Sequence, residues 1–167
     1  MTARPHFYKF HQGEKTLPFA PAEYEARLAG LRATMEKAGV EAVLFTSMQN
    51  IAYYSGFLYC SFGRQYGLVV TPTDCVTISA GIDAGQPWRR SYGDAITYTD
   101  WDRSNYWRAV RSVTGLGKVL GYESDHLTVA IRLALRDNLQ PSRLVDLASE
   151  TMAQRMARAH GEKPPEP

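Results

Sequence analysis

One arginine stands inside a crowd of aromatic rings. Between Asn50 and Tyr66 the run NIAYYSGFLYCSFGRQY holds Tyr53, Tyr54, Phe57, Tyr59, Phe62 and Tyr66 around the single cation Arg64, with Gly63 just before it. A buried aromatic corner with the arginine at its rim would account for this composition. The segment also supports a sharper chemistry. Gly63 lets the backbone turn abruptly, Phe62 presents an apolar face, and Arg64 offers a planar fork of donors to a carboxylate. Such a pair suits recognition of a small zwitterion.

The remaining reactive side chains make no comparable group. His6, His11, His126 and His160 are scattered, without an HExxH or a neighbouring ligand at helical spacing. Asp100 and Asp102 bracket Trp101, and a DxD can hold a divalent ion, yet after a strand the same trio more often caps the next helix or turn. Gly115, Gly117 and Gly121 form GxGxxxG ahead of a strand instead of behind one, which argues against a phosphate cradle. Neither GxSxG nor SxxK occurs, so no serine nucleophile is assigned. Arg89 and Arg90 after Trp88 read as a solvated basic pair in a segment that could be helical. No catalytic residue and no metal ligand is therefore assigned to this chain.

The elements that must position Arg64 can be read from periodicity. Residues 1–19 mix His, Lys, Pro and aromatics without a period and are expected to be an arm lying on a surface. A helix starts at Pro21, aligns Tyr24, Leu28, Leu31, Met35 and Ala38 on one face, and stops at Gly39. Residues 42–47 (AVLFTS) are a short apolar run of the buried-strand type. Residues 66–71 and 76–80 flank Pro72-Thr73-Asp74 and predict a hairpin, and 95–99 predict another strand. Then come a helix over 105–113, a strand over 118–122, a helix from 127 to about 139 with Leu127, Ile131 and Leu135 on one stripe, a strand over 143–147 and a last helix over 148–159. The fold class expected is α/β, a mixed sheet flanked by helices on both faces.

Bulk properties narrow the partners. At 167 residues the chain fits one ordinary domain. Nineteen Lys and Arg against 17 Asp and Glu leave a formal charge of +2, so no long-range field would gather nucleic acid or an anionic membrane. There is no signal-peptide h-region and no apolar run approaching the ~20 residues of a membrane span, so the expected location is the cytoplasm. Cys60 and Cys75 form no CxxC and are read as reduced thiols.

The run over 45–71, FTSMQNIAYYSGFLYCSFGRQYGLVVT, followed by GIDAGQPWRRSYGD, ITYTDWDRSNYW and GYESDHL, resembles the creatinases, amidinohydrolases that hydrolyse creatine to sarcosine and urea. The similarity extends from about Phe19 to about Arg158, and YCSFGR and GQPWRR are particular to that family rather than generic to its fold. The resemblance implies a creatinase/prolidase N-terminal domain with a ribonuclease H-like motif over 20–160. A larger pita-bread catalytic domain, absent from these 167 residues, would normally follow it. It implies chemistry without metal or cofactor, with the catalytic histidine and the glutamates that grip the guanidinium all in the absent domain. It also implies a homodimer in which Phe62 and Arg64 reach the partner's active site, the arginine meeting the substrate carboxylate of creatine or an analogue. Gln65 stands where the family pattern has proline, and the tail after Arg158 leaves the pattern, so 161–167 are expected to be disordered and the chain to be inactive alone. Two other readings fit the same residues. One is a standalone, non-catalytic binding or dimerisation module, and the other is the N-terminal domain of a prolidase or aminopeptidase P-like enzyme.

Overall fold

The computed structural model describes residues 4–59 and 63–161. Strands β1 (Phe7–Tyr8), β2 (Ala42–Phe45), β3 (Gly67–Val70), β4 (Cys75–Ala80), β5 (Asp94–Tyr98), β6 (Val119–Tyr122) and β7 (Arg143–Asp146) form one sheet in the order β1-β5-β4-β3-β2-β6-β7. The helices are α1 (Pro21–Ala38), α2 (Met48–Ser55), α3 (Gln86–Arg90), α4 (Asn105–Thr114), α5 (Val129–Leu139) and α6 (Ala148–Ala159). The sheet is mixed. β2 runs parallel to β6, β6 to β7 and β4 to β5, whereas β3 is antiparallel to both of its neighbours.

Local chemistry explains the boundaries. α1 opens on Pro21, whose fixed φ suits a first turn, and closes on Gly39 in the left-handed region at φ +64°. Between them Tyr24, Leu28, Leu31 and Met35, at helical spacing, are buried. All four residues of β2 are buried, as expected of a central strand covered on both faces. Its side chains alternate between two cores. Val43 and Phe45 join Leu28, Leu31, Met35, Ile51, Tyr54 and Leu68, while Ala42 and Leu44 join Val69, Ile78, Tyr106, Trp107, Val110, Leu135 and Leu139. Helices α1 and α2 therefore cover one face and α4 and α5 the other.

The sequence reading is largely matched, with three differences. β2 stops at Phe45, because Ser47 turns out of the strand to cap α2 with its side chain accepting from Asn50 N at 3.1 Å. α2 itself was not anticipated. Its two turns carry too few residues to show a period, and the aromatic crowding masked the Ser47 cap and the terminal Gly56. The arm is also more than a surface strap. Phe7 and Tyr8 pair with Tyr98 and Thr97 of β5 and extend the sheet. Further along, Trp88 Nε1 donates to Gly13 O at 3.1 Å, Thr16 N donates to Arg89 O at 2.7 Å, and the His11 ring stacks on Trp88 at 3.9 Å. Cys75 is a buried free thiol that burial pushes up to about 12, while Cys60 lies outside the described residues. Among the described residues no helix is long and apolar enough to cross a membrane.

A polar seam ties the last helix to the first. Gln154 Nε2 donates to Thr34 Oγ1 at 2.9 Å, Tyr54 OH donates to Gln154 Oε1 at 2.8 Å, and Glu23 takes hydrogen bonds from Arg27 and Arg158, both at 2.9 Å. The Arg158 hydrogen bond, aided by Arg27, lowers the Glu23 carboxyl from 4.5 to about 2. A carboxyl lowered in the folded state stabilises fully above its unfolded value and loses that contribution as pH falls towards the folded one. Glu23→Gln should therefore lower the urea midpoint at neutral pH by an amount equivalent to less than about 1 kcal/mol, since the pair is solvated. The gap between the two proteins should close as the pH falls from 4.5 to about 2. A gap that persists at the acid end would show that the carboxylate is not what holds the seam.

Candidate functional site

Strand direction determines which side chains meet. Because β2, β4, β5, β6 and β7 share one direction, their carboxyl ends open onto one edge of the sheet, and β3, running the opposite way, begins there. Thr46 follows β2, Asp83 lies beyond β4, Asp100 and Asp102 follow β5, Glu123 and His126 follow β6, and Arg64 to Tyr66 lead into β3. The expected substrate-binding arginine thus stands at the edge where open α/β sheets place ligands. Phe62, its expected companion, lies outside the described residues.

The approach to β3 is pinned on both sides of Arg64. Upstream, the Tyr59 ring stacks on Tyr66 at 4.3 Å, and its hydroxyl donates to Thr46 O at 2.9 Å. Downstream, Tyr98 OH donates to Gln65 O at 2.9 Å, Tyr106 OH donates to Tyr66 O at 3.3 Å, and Tyr66 OH donates to Asp83. Burial pushes the Tyr59 and Tyr98 hydroxyls up to about 12, so they stay protonated donors at physiological pH. Gly63 takes φ +79°, and no atom lies within 4 Å of where a Cβ would stand. The backbone turn, not crowding, is what calls for glycine there.

Arg64 itself is half-exposed, and its Nε lies 3.1 Å from Asp100 Oδ1. That ion pair occupies one side of the guanidinium and leaves the end-on pair of terminal nitrogens for another anion. The DxD motif is accordingly divided between two tasks. Asp100 faces Arg64, whereas Asp102 Oδ1 accepts from Ser104 N at 2.8 Å and holds the turn that leads into α4. Two clefts flank the arginine. One, of about 340 Å3, is lined by Gly63, Arg64, Gln65, Tyr98, Asp100 and Arg103; the other, of about 310 Å3, lies towards Thr46 and His126.

Sequence reasoning missed the residue that anchors this edge. Glu123 is fully buried, and its carboxyl accepts from Ser47 N at 2.8 Å, Ser47 Oγ at 3.0 Å and Asn50 Nδ2 at 3.1 Å. It joins the exit of β6 to the N-terminus of α2, where unpaired N–H groups and the helix dipole favour an acceptor. Asn50 in turn accepts from Arg155 of α6. The long separation of Glu123 from Ser47 and Asn50 hides the acceptor in the sequence.

Residues 27–157 match the family model described as the Creatinase/Prolidase N-terminal domain. A Creatinase from Bacillus sp. (strain B-0618) is 48% identical over 155 residues, which is 90% of this chain and 38% of that protein, so the chain spans well under half of the relative's length. Among solved structures, the creatinase/prolidase N-terminal domain of an X-Pro dipeptidase from Streptococcus pyogenes aligns with a TM-score of 0.67 at 22% identity, covering 76% of this chain and 97% of that one. The prolidase from Pyrococcus horikoshii OT3 aligns with a TM-score of 0.62 at 15% identity, covering 77% of this chain and 34% of that one. At such identities the structural likeness speaks for the fold alone.

Replacing Glu123 by Gln tests the anchor. An amide nitrogen turned towards Ser47 or Asn50 sets donor against donor, so Glu123→Gln should destabilise the chain by about 1–3 kcal/mol in urea unfolding. Near-native stability would mean that the carboxyl is dispensable at this edge.

Proposed function

Since the chain belongs to the creatinase/prolidase N-terminal domain family, we propose that it is the substrate-capping, dimer-forming domain of a creatinase-like hydrolase that converts creatine and water to sarcosine and urea. Bond cleavage falls to a pita-bread catalytic domain, and this chain supplies Arg64 to a pocket completed by that second domain. The identity of 48% to a creatinase supports the substrate class. The observation that carries the reading is Arg64 at the edge where the parallel strands end, turned by Gly63 and approached by Asp100 from one side.

The chemistry asked of Arg64 is binding. Its terminal nitrogens can take both oxygens of the creatine carboxylate in an end-on fork, which fixes the direction of the molecule relative to the catalytic domain. The carboxylate carries the same charge before and after attack on the amidine carbon, so this contact is equally strong in ground and transition states. Its loss then raises the Michaelis constant and leaves kcat nearly unchanged. Asp100 competes for the same cation, but both partners are partly exposed, and such a pair is weak enough to yield one side of the guanidinium without a large penalty. Phe62, named with Arg64 for the same pocket, would supply an apolar wall beside the carboxylate.

Paired with a creatinase catalytic domain, the chain should support urea release from creatine that it does not give alone. In that assembly Arg64→Ala should raise the Michaelis constant by about ten- to a hundredfold, the loss of one charge-assisted contact. Arg64→Lys should recover only part of it, since a point charge does not reproduce the fork. An unchanged Michaelis constant in the Arg64→Ala assembly would overturn the capping role. Turnover of a dipeptide but not creatine by the assembly would move the reading to the peptidase branch.

A further inference from the structure

The N-terminal arm is fastened at two places of different chemistry. At its start, Thr99 N donates to His6 O at 2.9 Å, Thr99 Oγ1 donates to Pro5 O at 2.8 Å, and Trp101 Nε1 donates to Pro5 O at 3.0 Å. The His6 side chain completes this contact. Its Nδ1 lies 2.7 Å from Asn105 Oδ1, and its Nε2 lies 3.2 Å from a terminal nitrogen of Arg108, both on α4. Asn105 is fully buried and its Nδ2 donates to Thr99 O at 3.1 Å, which turns Oδ1 to the ring, so Nδ1 must carry the hydrogen. Arg108 can only donate, so Nε2 must accept. The partners thus admit one form of the ring, neutral with its hydrogen on Nδ1.

We propose that His6 is an acid-sensitive latch: the neutral ring holds the start of the arm on the loop between β5 and α4, and a proton on the ring frees that start while the middle of the arm stays bound. Histidine is the side chain that ordinarily takes up its charge between about pH 8 and 5. A second hydrogen would set Nε2–H against the Arg108 guanidinium, donor against donor and cation against cation. The other groups around the ring do not offset this. Asp102 turns to Ser104 N at 2.8 Å and to Arg108 at 3.9 Å, and Arg4, two residues before His6, is an exposed cation. The Trp101 ring, 5.2 Å away and tilted by 31°, offers a charged ring only the weak attraction of an exposed site. Further along the arm the chemistry is reversed. His11 Nε2 lies 2.6 Å from Asp94 Oδ1, where charge on the ring strengthens the contact; Lys9 shares that carboxylate at 2.5 Å, and Lys15 sits over the Trp88 ring on which His11 stacks. Acid therefore loosens the arm at Pro5–Tyr8 and not at His11–Thr16, opening the end of β5 that Phe7 and Tyr8 cover. The latch goes beyond the capping role and does not rest on it.

Magnetic resonance of the isotope-labelled chain tests the latch. At about pH 8 the imidazole nitrogen shifts of His6 should report the hydrogen on Nδ1. From there to about pH 5 the Thr99 amide, which donates to His6 O, should lose about tenfold or more of its protection from hydrogen exchange, each rate being taken relative to an unstructured peptide at the same pH. Over the same range the Thr16 amide, which donates to Arg89 O, should keep its protection within about twofold. Arg108→Met removes the opposing donor but leaves the histidine, and should hold the Thr99 protection within about twofold from one end of the range to the other. His6→Gln takes up no proton and should do the same, which provides a second variant should the methionine disturb α4. Hydrogen on Nε2 at the alkaline end, undiminished Thr99 protection in acid, an equal loss at Thr16, or an Arg108→Met or His6→Gln chain that loses Thr99 protection as the parent does would each overturn the latch. Arg64→Ala should leave the acid response unchanged, so the latch and the capping role fail by different results.

Discussion

The direction of β3 governs the functional edge. A tight Pro72-Thr73-Asp74 turn forces β3 and β4 to be antiparallel, and β3 docks antiparallel on β2 as well, so the segment entering β3 arrives where β2, β4, β5 and β6 end. Reversing that one strand would carry Arg64 to the far end of the sheet, away from Asp100 and from the loops after β2 and β6. The four residues of β3 are all buried between neighbours on both sides, which makes its register expensive to change: a slip of one residue would turn Leu68 and Val70 out of one core and Val69 out of the other.

Two carboxyl groups at this edge hold it in different ways. Glu123 is wholly enclosed and meets three neutral donors, so it behaves as a fixed structural joint whose removal leaves the α2 N-terminus unsatisfied. Asp100 is in partial contact with water and meets a half-exposed side chain, so its bond to Arg64 is readily exchanged. The rigid joint holds the start of α2, and the exchangeable pair lies in the segment that leads from α2 into β3. A stable platform can therefore carry an arginine that is free to change partners.

Long periodic elements were legible in the sequence. α1 announced itself through Tyr24, Leu28, Leu31 and Met35 between a proline and a glycine, and the hairpin through its turn residues. Arg64 stands out in the sequence because a lone cation among aromatic rings is chemically conspicuous. What stayed hidden depended on contacts between residues far apart in the chain. Asp100 and Asp102 look alike in the sequence, although one pairs with Arg64 and the other holds the turn before α4, and Glu123 carries no local signal at all. α2 escaped because an eight-residue helix rich in aromatics is stabilised by burial of Ile51 and Tyr54 more than by any pattern of its own. β1, only two residues long, exists because β5 offers it a partner.

That short pairing has a wider consequence. β5 would otherwise end the sheet with a row of unpaired backbone groups beside apolar side chains such as Ile96 and Tyr98, an invitation for a neighbouring molecule to add a strand of its own. Phe7 and Tyr8 cover the part of that row at Thr97 and Tyr98, and the His11–Trp88 stack together with the Gly13 and Thr16 contacts fastens the segment behind them. The first residues of the chain thus serve as a selvedge. Trimming them would leave every residue around Arg64 in place while opening the end of β5 to a strand from a neighbouring molecule.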